Sequence, residues 1–411
     1  MKLLWFLPLL STLVRAIELD TNNVTSIKHA CALIADGILD YYEGNRYGGT
    51  VGDDYNYVPL NQTTTEGNDD QAFWGIAVMA AAERNFSNPE DPKLAWLTLA
   101  QAVFNTMSSR WDLDDCNGGL RWQIFQWNTG YDYKNSVSNG ALFHLGARLA
   151  RYTSNTTYVE WCDRVFDWMY GVGLLTEGEW WFVYDGVKID NNCSNITKLR
   201  WTYNQGLMLS GCAYLYNFTL DEKWYNRTMN LLKGTLPFFY NKSVDAQIMY
   251  EAACQMPTMN SYTCNNDQRS FKAYLSRFLG LTSIMVPDTY DTIRQWLVDS
   301  ANAAAWSACT GGRDGHTCGL SWTNNTWDGM YGLGEQMCAL EVIQNLRVRD
   351  FSPPLTADIG GSSLGNPAAG FGSANTKIAP LNIQTKDKVG AALITAIVGV
   401  AIIGSTAYLL L

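Results

Sequence analysis

Between residues 25 and 346 the apolar positions recur with a helical rhythm, and no alternating run is long enough to predict a large sheet. Two kinds of helix follow from the pattern. Tyr158, Trp161, Cys162, Val165, Trp168 and Met169 form a one-sided stripe, as do Ile293, Trp296, Leu297, Ser300, Ala301 and Ala304. Helices of that kind bury one face and wet the other. Residues 72–82, 140–150 and 206–216 are instead small or apolar nearly all round, which predicts helices covered on both sides. An all-α domain with inner and outer helices is expected.

The inner helices begin alike, at Asn68-Asp69-Asp70-Gln71, Ser138-Asn139-Gly140, Tyr203-Asn204-Gln205-Gly206, Asn266-Asp267-Gln268 and Trp327-Asp328-Gly329. From Asp70 through Asn139, Gln205, Asp267 and Asp328 the spacings are 69, 66, 62 and 61 residues, enough for one inner helix, one outer helix and their loops. Hairpins repeated at that period can close into an (α/α) barrel whose inner helices present their N-termini at one mouth. The polar clusters would then line a shared cleft. Ten helices are evident in the sequence; the missing part of a sixth pair is expected in 245–254 or in helices broken by glycine.

The two ends carry different signals. Lys2, the apolar run 3–14 and the exit Val14-Arg15-Ala16 predict a secretory signal peptide over 1–16. Residues 389–411 are a run of 23 without charge; roughly 20 apolar residues suffice to cross a bilayer. No Lys or Arg follows that run, while Gly372-Ser373-Ala374-Asn375 and a polar spacer precede it, the layout of a GPI-attachment signal whose tail is removed. Pro353-Pro354 and the Gly, Ser and Ala that follow predict a flexible stalk. The expected organisation is signal peptide 1–16, domain 17–349, stalk 350–375 and removed signal 376–411, with the mature protein anchored through GPI at the cell surface.

A secreted chain should also be glycosylated and oxidised. Ten Asn-x-Ser/Thr sequons are present, at Asn23, Asn61, Asn85, Asn155, Asn192, Asn195, Asn217, Asn226, Asn241 and Asn324. The ten cysteines all lie in the mature segment and favour disulfides over metal ligation, with Cys254/Cys264 and Cys309/Cys318 spaced to close small loops. With 29 basic against 39 acidic residues and no basic patch, nucleic acid is not an expected partner. The 16 Trp and 22 Tyr often stand beside Asn, Gln, Asp or Gly, a mixture suited to a sugar cleft.

The candidate chemistry is concentrated in Glu66-Gly67-Asn68-Asp69-Asp70-Gln71, where one Asp would suffice as a helix cap and a second suggests an acid pair. The competing doublets are Asp53-Asp54 and Asp114-Asp115. Asp132 and Asp328 suit sugar-hydroxyl acceptance, with Trp74, Trp122, Tyr131, Tyr203 and Trp327 as candidate platforms and Asn68, Gln71, Asn139, Asn204 and Gln205 as candidate polar contacts. His29, His144 and His316 are scattered, so neither a zinc site nor a Ser-His-Asp triad is supported, and no cofactor is expected.

"GNDDQAFWG" together with "CNGGLRWQI", "GYDYKNSVSNG" and "WTYNQG" resembles glycoside hydrolase family 76, and within it the fungal GPI-anchored defective-cell-wall group. The resemblance spans about 17–346. It implies an (α/α)6 barrel and retaining action on α-1,6-mannosidic bonds, with Asp69 as nucleophile and Asp70 as general acid/base. It also implies mannan or a GPI-core glycan as donor and wall glucan as a possible acceptor, joining GPI proteins to the wall. The alternative from another class is a non-catalytic mannan-binding scaffold. A retaining pair must stand about 5 Å apart. Adjacent helical residues point some 100° apart, so the doublet is expected at an irregular first turn opened by Gly67.

Overall fold

The structure, a computed structural model, describes residues 17–39, 65–178, 180–243, 246–256, 261–313, 315–371 and 384–410. The signal peptide, Asp53-Asp54, Asn61 and the proposed GPI attachment residues lie outside them. Ten helices build the head: α1 (Val24–Leu39), α2 (Asn68–Glu83), α3 (Trp96–Ser109), α4 (Ser136–Thr153), α5 (Thr157–Gly171), α6 (Thr202–Thr219), α7 (Glu222–Thr235), α8 (Phe271–Met285), α9 (Tyr290–Ala303) and α10 (Leu333–Gln344).

The residues that are apolar all round become inner helices. Helix α2 packs on α4, α4 on α6, α6 on α8 and α8 on α10, while α3, α5, α7 and α9 each return against the inner helix before them and α1 lies on α10. Side chains rather than space fill the axis. The Phe73 and Tyr274 rings meet at 4.9 Å, His144 and Phe278 at 4.8 Å, and Arg148 closes the far end on Glu83 at 2.7 Å. This is the (α/α)6 architecture, with five inner and five outer helices among the described residues. Residues expected to hide a further helix instead form a hairpin, β4 (Phe239–Ser243) with β5 (Ala246–Met249), set after three short strands near the mouth, β1 (Tyr133–Asn135), β2 (Gly186–Lys188) and β3 (Ile196–Thr197).

The stalk expectation needs correction over residues 351–371, which lie as a strap along the head. Leu355 N–H donates to Glu83 O and Ala357 N–H to Tyr152 O, each at 2.9 Å. Asn105 Nδ2 donates to Pro367 O at 2.9 Å and Ala369 O at 2.8 Å. The glycine content reflects close approach to a helix, not looseness. A Cβ on Gly370, at φ 82°, would stand 2.6 Å from Ala102 O. Past the strap, a separate unit holds α11 (Thr385–Leu410), long and apolar enough to cross a membrane.

Six of the ten cysteines pair, as Cys254–Cys264, Cys309–Cys318 and the long-range Cys116–Cys193. Cys162, Cys212 and Cys338 are free and buried, and Cys31 is free and half-buried. The even count therefore overstated the cross-linking, because buried thiols on inner and outer helices serve as small apolar packing groups. Asn23, Asn85, Asn155, Asn192, Asn195, Asn217 and Asn226 are exposed, and Asn324 is half-buried.

Candidate active site

Helix α2 starts where residues 66–68 pair with the loop carrying Trp122. Asn68 N–H donates to Trp122 O at 2.8 Å and Ile124 N–H to Glu66 O at 3.4 Å. That pairing brings the Trp122 indole N–H to Asp69 Oδ2 at 3.0 Å, while Asp70 Oδ2 accepts from the Gly67 N–H at 2.8 Å. Gly67 is needed for space, not for an unusual backbone, since its φ of −90° is ordinary. A Cβ there would stand 2.3 Å from Asp69 Oδ1 and 3.0 Å from Asp70 Oδ2. The two oxygens are thus separated by no more than the sum of those distances. This falls short of the roughly 6.5–9.5 Å of inverting pairs and within reach of the ~5–5.5 Å of retaining ones.

The electrostatics make the doublet an acid pair. Burial first, then the charge of Asp70, pushes Asp69 up to about 7 against the opposing hydrogen bond from Trp122. Burial also raises Asp70, opposed by the Gly67 N–H and reinforced by Asp267. Both carboxyls are thus pushed toward the protonated form, and their titration belongs to the pair rather than to either residue. Asp70 is the more exposed partner, whereas Asp69 Oδ1 is buried.

The other expected site residues divide. Trp74 and Trp122 remain exposed beside the pair, and Asp132 is exposed with Lys188 at 3.5 Å. The Tyr131 ring is half-buried beneath the Arg121 guanidinium at 4.5 Å. Asn68 and Gln71 are turned inward, both accepting from the half-buried Arg110 guanidinium, with Asn68 Nδ2 also donating to Arg121 O at 2.9 Å. Asn139 holds Leu120 through N–H and carbonyl at 2.8 and 3.0 Å. Gln205 accepts from Val183 N–H at 3.1 Å and donates to Trp181 O and Leu231 O at 2.9 Å. These polar residues fasten mouth loops to inner helices. Tyr203 is buried and stacked on Phe271 at 3.9 Å, so it is a wall rather than an open platform. Asn204 is buried. Trp327 Nε1 donates to Met330 O at 2.8 Å, and the Asp328 carboxylate accepts from Ser321 N–H at 2.7 Å and Met330 N–H at 3.0 Å. Loop closure occupies both.

The rival doublet is structural as well. Asp115 pairs with Arg121, and residues 112–118 wrap the fully buried Lys134 ammonium, which donates to Asp115 O and Gly118 O at 2.6 Å. Sequence reasoning missed Asp185 and Tyr133. The Tyr133 hydroxyl donates to Asp185 Oδ2 at 2.6 Å, and burial raises the Asp185 pKa against the hydrogen bonds of Tyr133 and Trp201. Burial first, then the charges of Asp185 and Asp69, hold the Tyr203 phenol well above its ordinary value. Tyr133 stood inside a quoted motif. Asp185 is brought to it only by the antiparallel pairing of β1 with β2.

A mostly helical barrel with a close aspartate pair at its mouth, both carboxyls raised by burial, has the site of a glycoside hydrolase. The family model described as glycosyl hydrolase family 76 matches residues 50–358, and the chain belongs to that family. It is 62% identical to the mannan endo-1,6-alpha-mannosidase DCW1 of Candida albicans, covering 98% of each chain. It is 48% identical to the mannan endo-1,6-alpha-mannosidase DFG5 of Saccharomyces cerevisiae, covering 96% of this chain and 94% of that one. The crystal structure of Dfg5 from Chaetomium thermophilum in complex with glucosamine superposes with a TM-score of 0.79 at 34% identity, covering 87% of this chain and 98% of that one. An inactive variant of an α-1,6-mannanase from Salegentibacter sp. HEL1_6, with two consecutive aspartates changed to asparagine and α-1,6-mannotriose bound, shares the fold. Its TM-score is 0.54 at 15% identity, covering 78% of this chain and 88% of that one.

Proposed function

We propose that the chain is a cell-surface, GPI-anchored retaining glycosidase acting on α-1,6-mannosidic bonds, through Asp69 as nucleophile and Asp70 as general acid/base. The observation that carries the reading is the convergence of both carboxyls beside Gly67, where burial raises the pKa of each. In the reactive form the proton of the pair sits on the more exposed Asp70, so that the ionised Asp69 attacks the anomeric carbon while that proton passes to the departing glycosidic oxygen. The Trp122 N–H favours the ionised form of Asp69. Asp70, now a carboxylate, then takes a proton from water or from a sugar hydroxyl, and that oxygen displaces Asp69. With water the outcome is hydrolysis. With wall glucan it is transfer, which would join a GPI-linked glycan to the wall and support cell-wall assembly. Trp74 and Trp122, exposed beside the pair, are assigned to the glycan together with Tyr131 and Asp132, and Tyr133 and Asp185 are further candidates. Support comes from the high identity to proteins named mannan endo-1,6-alpha-mannosidase over nearly the whole chain.

An activated aryl α-mannoside tests the two roles, because its leaving group needs little protonation. Asp70→Asn should still form the glycosyl-enzyme and be partly rescued by azide, whereas Asp69→Asn should form none. Full activity in both folded variants on a competent substrate would reduce the doublet to a helix cap.

A further inference from the structure

Asn85-Phe86-Ser87 is an acceptor sequon with an exposed Asn, which on the motif alone marks it for a glycan. The structure gives Asn85 two other tasks. Arg84 caps α2, so Asn85 is the first residue beyond the helix and turns the chain at φ 49°, a left-handed conformation that favours Gly and then Asn. Its carboxamide then reaches the strap. Asn85 Nδ2 donates to Gly360 O at 2.7 Å, while Asn85 Oδ1 accepts from Ser362 N–H at 2.9 Å and from Ser362 Oγ at 3.0 Å. The same turn of the strap is fixed from within the head. Gly361 N–H donates to Thr356 O at 2.8 Å, and a Cβ on Gly361 would stand 2.4 Å from the Tyr152 hydroxyl oxygen. Gly360 O and Ser362 N–H flank this one residue, so they lie on the same side of the carboxamide. The hydrogen given to Gly360 is therefore the one on the Oδ1 side of Nδ2.

We propose, resting on the secretory reading above, that Asn85 is the latch of the strap and that the folded protein carries it bare, because a glycan on this Asn and a closed strap exclude one another. In N-glycosylation Nδ2 attacks the first sugar's anomeric carbon in a lipid diphosphate-linked oligosaccharide. The carbon–oxygen bond to the diphosphate breaks, the lipid diphosphate leaves, and Nδ2 gives up one proton. The product is a secondary amide, which strongly prefers its two carbon substituents trans. With the sugar carbon trans to Cβ, it stands on the Oδ1 side, in the place of the hydrogen that the strap uses. The hydrogen that remains points back along the side chain, away from Gly360 O. Order of synthesis makes the exclusion matter. Asn85 precedes Gly360 by 275 residues, so the sequon meets the sugar donor before its strap partners exist. A chain modified then folds with its strap unlatched, whereas a bare chain closes it. The exposed sequon at Asn155 shows the contrast. There Oδ1 accepts from Thr157 N–H at 3.0 Å, and a sugar on Nδ2 displaces no contact among the described residues.

The test takes the full chain from a eukaryotic host, trims it with an endoglycosidase that leaves one N-acetylglucosamine on each modified Asn, and pairs peptide mass spectrometry with amide hydrogen exchange. Asn85 should be unmodified and the strap amides of residues 355–362 protected. Asn85→Gln removes the sequon and moves the carboxamide out by one methylene, so exchange of those amides should rise on the order of tenfold or more. Ser87→Ala also removes the sequon but keeps the latch, and should leave exchange unchanged. Ser87→Thr strengthens the acceptor, and its chains that carry sugar on Asn85 should exchange like Asn85→Gln. Unchanged exchange in Asn85→Gln would overturn the latch. A glycan on Asn85 of the folded wild-type chain, or on Ser87→Thr chains whose strap amides stay protected, would overturn the exclusion. A chain without sugar at any sequon would remove the secretory reading, and the Asn85→Gln arm then decides the latch by itself.

Discussion

Replacing Asp69 by Asn is expected to stabilise the protein at alkaline pH while abolishing catalysis. Burial and the charge of Asp70 raise this carboxyl from 3.8 to about 7. The unfolded carboxyl ionises near 3.8, whereas the folded one keeps its proton up to about 7. Rising pH across that window therefore favours the unfolded state, and the stability present below pH 3.8 is lost as pH passes 7. At ~1.4 kcal/mol per unit, the whole shift corresponds to ~4 kcal/mol. Asp70 titrates together with it and lies open to water, so about 2 kcal/mol is expected from the single substitution. For a domain of this size, about 350 residues, that is a rise in Tm of about 3 °C at pH 8. The advantage should shrink by at least half at pH 4.5, where less of the cost has accrued. Thermal melts followed by circular dichroism at the two pH values supply the comparison, and intact-mass detection of glycosyl-enzyme supplies the catalytic arm. A rise in Tm independent of pH, or a lower Tm than wild type at pH 8, would refute the claim that burial strains this carboxylate.

Two further outcomes follow from the geometry. Gly67→Ala keeps an allowed backbone but places a methyl group 2.3 Å from Asp69 Oδ1, so kcat should fall by about 100-fold or more with little change in Tm; a fully active variant would show that the carboxyls do not need this position. Unfolding without reductant should expose the four thiols of Cys31, Cys162, Cys212 and Cys338 to alkylation, while the native protein offers only the half-buried Cys31, whose thiol burial raises to about 11; mass spectrometry finding more than four thiols would contradict the three disulfides.

Local chemistry explains what was legible in the chain. Hydrophobic rhythm separated inner from outer helices, because a helix covered on both sides tolerates no polar stripe, and α2, α4 and α6 are buried as their composition required. The aspartate doublet beside glycine was readable because close approach of two carboxyls leaves no room for a side chain at residue 67. The two short-loop disulfides followed from spacing.

Only the tertiary structure decided which polar residues face the cleft. Asn68, Gln71, Asn139 and Gln205 sit at helix starts like the aspartate pair, yet each turns inward to satisfy the Arg110 guanidinium or the backbone of a mouth loop. Leaving such groups unpaired in the interior costs more than a glycan contact at the rim would return, and sequence does not state which way a side chain turns. Asp185 meets Tyr133 across 52 residues through a strand pairing that no local pattern encodes. The strap shows the same limit: glycine and proline read as looseness until α3 is there for the chain to lie against, because the residues that allow a chain to wander also allow it to approach a helix closely.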